Sequence, residues 1–64
     1  MQNVVKLYKK KSMYELEHNI EVRQYWLYKN NIKFRTHFNP SEIPTCFYFI
    51  FNDKNDALKF KLRW

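Results

Sequence analysis

The chain has 64 residues and twelve Lys and Arg against six Asp and Glu, a formal charge of +6; that length predicts one small domain over residues 1–64. With Cys46 as the only cysteine, neither an intramolecular disulfide nor a cysteine-rich zinc site can form. Glycine is absent, which excludes Gly-rich phosphate loops and dinucleotide fingerprints and leaves any position of positive φ to Asn or Asp.

A domain of this size buries only about 60% of its unfolded surface. Aromatic residues, 20% of the chain, are the expected substitute for disulfide or metal staples. A second copy could add further core, so a homodimer is expected. The charge favours encounter with polyanions, although a basic surface can equally serve solubility alone. Residues Met1 to Lys11 lack the apolar stretch of a secretory signal. The longest apolar run, Cys46 to Phe51, is far too short to span a bilayer. The expected setting is therefore soluble, reducing and cytoplasmic, with no membrane and no cofactor.

Val4, Val5, Leu7 and Tyr8 predict a short first strand, broken by Lys9-Lys10-Lys11. Ser12 and Glu15 then have the spacing of a capping box. Met13, Leu16, Ile20 and Leu27 recur on one helical face, which predicts a helix from Ser12 to Asn30. Lys29 suits its C-terminal dipole, and Asn30 or Asn31 can take the left-handed cap. Ile32, Phe34, Thr36 and Phe38 alternate with Lys33, Arg35 and His37, a strand with a wet, basic face. Asn39 to Pro44 reads as a loop. Thr45 to Phe51 is apolar on both faces and is expected mid-sheet or under cover.

The last segment fits two patterns. Asp53 can cap a helix with Asp56 at its third position, so that Ala57, Phe60 and Trp64 share a face. Leu58, Phe60, Leu62 and Trp64 also alternate as in a strand. Helix is favoured, because Ala, Leu and Lys are good helix formers and no β-branched residue is present. The resulting β-α-β-β-α order predicts an α+β, ferredoxin-like split fold without its last strand, with helices on one face of an antiparallel-rich sheet.

His18 and His37 are the only histidines, and their spacing does not bring them together. An acid–base pair of ribonuclease type is an outside possibility. Cys46 reads as a small core residue rather than a nucleophile, and the acidic residues form no paired-carboxylate or metal motif. The chain is expected not to be an enzyme. Two binding surfaces compete. On the first helix, Val22 and Trp26, flanked by Tyr25, lie opposite the core stripe as a candidate protein interface. On the second strand, Lys33, Arg35 and His37 form an anion or nucleic-acid contact, with Tyr48 as a stacking ring if it shares their face.

The run Phe49-Ile50-Phe51-Asn52-Asp53-Lys54-Asn55-Asp56-Ala57-Leu58-Lys59-Phe60-Lys61-Leu62-Arg63-Trp64 resembles the ending of small uncharacterised proteins of tailed, particularly marine, bacteriophages. In those proteins an aromatic strand leads to Asp-Ala and then to Phe-x-Leu-x-aromatic. The resemblance covers about a quarter of the chain, implies a viral origin and a strand-to-helix passage, and carries no assigned activity. The reading favoured by sequence is a non-catalytic phage-type accessory protein that binds a host or viral protein. A nucleic-acid-binding protein is the alternative.

Overall fold

The computed structural model describes residues 3–64; the expected domain bounds of 1–64 include Met1 and Gln2, which lie outside the described residues. The elements are β1 (Asn3–Tyr8), α1 (Met13–Lys29), β2 (Arg35–Asn39), β3 (Cys46–Phe51) and α2 (Lys54–Arg63), a small α+β domain in the expected order. The sheet runs β1-β3-β2, with β3 antiparallel to both neighbours. β1 and β2 are therefore parallel to each other with β3 inserted between them, as in a split β-α-β unit. Among the described residues no fourth strand flanks β1.

Register sorts the side chains into two faces, because strand side chains alternate with period two. Val5 and Leu7 lie opposite Phe49 and Phe47, as do Thr36 and Phe38 from the other side. That face carries both helices. Leu27 and Ile32 at the end of α1, Phe49 and Phe51 of β3, and Ala57 and Phe60 of α2 form the buried core. The Phe60 ring lies 5.0 Å from Phe49 and 5.3 Å from Phe51. Complete burial of each such ring contributes roughly 1.5–3 kcal/mol of transfer free energy. Aromatic mass thus takes the place of the missing staples.

Local chemistry sets the ends of α1. The Ser12 hydroxyl accepts from the Glu15 backbone N–H at 3.1 Å, which satisfies one of the first-turn donors. At the other end Asn31 adopts φ 55, the left-handed cap in a chain without glycine. The Asn31 N–H donates to the Tyr28 carbonyl at 3.1 Å and the Ile32 N–H to the Leu27 carbonyl at 3.0 Å. This is a Schellman motif, with Ile32 packed beside Leu27 as its apolar closure. The motif also moves the start of the next strand. Ile32 is committed to the core under the helix end, and β2 begins at Arg35 rather than at Ile32.

The tail is a helix. Asp53 accepts from the Asn55 N–H at 2.8 Å, and Ala57 and Phe60 are buried one turn apart. Leu62, which the strand pattern would have paired with Phe60, is 79% exposed. Trp64 closes the helix over Phe60 at 5.4 Å.

Trp26 does not occupy the outward face expected of it. It is half-buried and packed against the core, with its ring 6.3 Å from Phe60 and 5.4 Å from Trp64 in an edge-on arrangement. The helical wheel places Trp26 about 90° from the midpoint of the buried Leu16 and Leu27. α2 reaches around that flank and takes the indole in, so the candidate protein patch loses its aromatic anchor. Val22 and Tyr25 remain exposed.

Candidate functional site

The sheet face away from the helices is formed by three registered rows. Val4, Ile50 and Arg35 make one; Lys6, Tyr48 and His37 the second; Tyr8, Cys46 and Asn39 the third. Tyr48 stands at the centre. The Lys6 ammonium sits 5.9 Å from its ring centroid and the His37 ring 5.5 Å away on the other side. Such cation–ring contacts hold the charge and the aromatic plane together at one place. Every residue of β2 is exposed, so Arg35 and His37 present their cationic or polar ends to solvent.

Tyr48 therefore does share a face with Arg35 and His37. Lys33 does not belong to that array, because it precedes β2 and lies in the segment leaving α1. There it is exposed beside Arg35, along a cleft between the end of α1 and the β2 edge. Lys6 instead adds a cation to the array from β1, across Tyr48 from His37. Its signal was present in β1, where Val4, Lys6 and Tyr8 alternate with Val5 and Leu7, but assigning it to Tyr48 needs the β1–β3 register.

The β2–β3 loop adds one acidic group. Asn39 Oδ1 accepts from the Ser41 N–H at 3.0 Å and the Asn39 carbonyl from the Glu42 N–H at 3.2 Å, a turn that folds the loop back. The Tyr48 hydroxyl then donates to both carboxylate oxygens of Glu42 at 2.8 Å. That hydrogen bond, followed by desolvation, pushes the phenol's pKa well above its ordinary value. Tyr48 thus remains a neutral hydroxyl with its ring edge fixed.

No protein-family model matches the chain, and no match is found among curated proteins or solved structures. What the surface can do is therefore argued from its own chemistry.

The chemistry-bearing residues are kept apart. His18 is exposed on α1 and His37 lies on the open sheet face, with the sheet between them. Cys46 is buried as a free thiol between Tyr8 and Asn39 in register. Among the described residues no three His, Cys, Asp or Glu side chains cluster as metal ligands would, and no helix is long and apolar enough to cross a membrane. On the opposite side, Arg23 donates to the Asn19 carbonyl at 3.1 Å and stacks 5.0 Å from the Trp64 ring. Partial burial there lowers its pKa from the ordinary arginine value. This cation belongs to the packing of α1 on α2.

Proposed function

We propose that this chain is a non-catalytic binding module for single-stranded nucleic acid, and that the open sheet face is its contact surface. The observation that carries the reading is the Lys6–Tyr48–His37 row, which sets a ring between two potential phosphate or base contacts on a solvent-facing sheet. Single strands are bound by combining such cations with rings on which bases stack, at about 1–3 kcal/mol per stacked base. The net charge of +6 supplies long-range attraction for a polyanion. A protein partner on α1 is the weaker reading, since Trp26 is engaged with Phe60 and Trp64. In the phage-type setting implied by the C-terminal resemblance, the ligand would be a host or viral strand in the host cytoplasm.

The test is the affinity of the full chain for a labelled single-stranded oligonucleotide at stepped salt. With Lys6 and Arg35 as the phosphate contacts of the open face, log K against log salt has a slope of about −1.4, from roughly −0.7 per neutralised phosphate. An absence of retention at low salt defeats the reading. Capture of a partner protein that survives nuclease treatment and depends on Val22 and Tyr25 supports the α1 surface instead.

A further inference from the structure

We propose that the cleft between the C-terminal end of α1 and the β2 edge is a second nucleotide subsite, continuous with the open face. This inference rests on the single-strand-binding reading and extends it around the edge of the sheet. The cleft has a volume of about 580 Å³ and is lined by Gln24, Tyr28, Asn31, Lys33, Phe34 and Arg35, among others. Small-molecule sites occupy roughly 300–1,000 Å³ and combine an apolar wall with a few convergent polar groups. Here the wall is Tyr28, 68% exposed, whose ring is backed by Phe34 at 5.4 Å and a 54° tilt. Phe34 in turn rests on Phe49 of the core at 6.1 Å, so the exposed ring stands on a buried foundation.

The polar groups fit one nucleotide unit. The amides of Gln24 and Asn31 each offer a donor and an acceptor of the kind that reads a base edge. Lys33 and Arg35 supply cations for the adjoining phosphate. The left-handed turn at Asn31 shapes this site, because it redirects the chain so that residues 32–34 run along the cleft toward β2. Arg35 joins the two regions: it lies opposite Ile50 on the open face by register, yet it also lines the cleft. A strand crossing Tyr48 and His37 therefore meets Arg35 at the sheet edge and continues toward Lys33 and Tyr28. β2 is exposed along its whole length, leaving that route clear.

The experiment compares the wild-type chain with Tyr28→Ala, Lys33→Glu and Lys6→Ala, using one labelled sequence as single-stranded RNA and as single-stranded DNA. Tyr28→Ala is expected to weaken binding about tenfold or more through lost stacking. Lys33→Glu, a surface change that does not touch the Tyr28–Phe34 pair, is expected to weaken it and to flatten the salt slope by about one unit or more. A loss confined to the RNA assigns the subsite to ribonucleotides, and an equal loss assigns it to the base and phosphate common to both. If the wild type binds and Lys6→Ala weakens it while Tyr28→Ala and Lys33→Glu match the wild type, the cleft proposal is overturned and the open-face reading stands. If the wild type binds neither strand, both fail.

Discussion

The Tyr48 hydroxyl donates to both carboxylate oxygens of Glu42 at 2.8 Å, so the central ring of the open face is tied to the one acidic side chain of the β2–β3 loop. This contact places a negative charge beside a surface otherwise suited to phosphate. Glu42→Gln should therefore strengthen binding of a single-stranded oligonucleotide by about two- to fivefold, in the range of an exposed charge contact. The gain should shrink at high salt. Fluorescence anisotropy at two salt concentrations measures both.

The same hydrogen bond predicts a pH effect. The fold favours the protonated phenol of Tyr48, whose pKa is raised mainly by Glu42. Its contribution to stability is thus complete below the ordinary tyrosine value of about 10 and is lost as pH rises through the higher folded value. Ultraviolet titration should show a late step from Tyr48. That step should be missing in Tyr48→Phe and should move back toward the ordinary value in Glu42→Gln.

Trp26, Phe60 and Trp64 form a cluster that joins the helices. Trp26→Ala should destabilise the domain by about 2–3 kcal/mol, less than for a fully buried Trp because one side of the ring is wet. Urea denaturation measures the loss. A variant that keeps wild-type stability would mean the indole is free for a partner after all.

Asn31 offers a backbone test. Its φ of 55 suits glycine and is costly for a residue with an ordinary β-carbon. Asn31→Ala should cost about 1 kcal/mol, and Asn31→Gly should be neutral or slightly stabilising. Thermal midpoints of the two variants should fall in that order.

Much of this fold is written locally. Ser12, Asp53 and the asparagines after Lys29 announce helix ends through their own hydrogen-bonding chemistry, and the apolar β3 announces its central place. The tail read equally as strand or helix on periodicity, and propensity with the Asp53 cap pointed to the outcome observed. The misreadings share one cause, which is that a second element decides. Trp26 lies on the flank of the α1 stripe, and only the arrival of Phe60 and Trp64 from α2 turns that flank inward. Ile32 alternates correctly for a strand, yet the Schellman closure against Leu27 claims it and shifts Lys33 to the cleft. Arg35, His37 and Tyr48 were legible as a possible shared face. Lys6 and Glu42 were not, because their places depend on strand register and loop path.

Exposed leucines follow from the helical tail. Leu58 and Leu62 lie on the solvent side of α2, so Leu62→Lys should change stability by no more than about 0.5 kcal/mol. Phe60→Ala, on the buried side, should cost about 3–5 kcal/mol. Near-equal losses would contradict the helical placement.

Mapping backbone amide shifts of the full chain during titration with a single-stranded oligonucleotide tests the central claim most directly. The account predicts saturable changes centred on Lys6, His37 and Tyr48, extending through Arg35 toward Lys33 and the cleft residues Gln24 and Tyr28, with the outward Val22 face of α1 unaffected. Changes confined to that face of α1, or none at any ligand concentration, would contradict it.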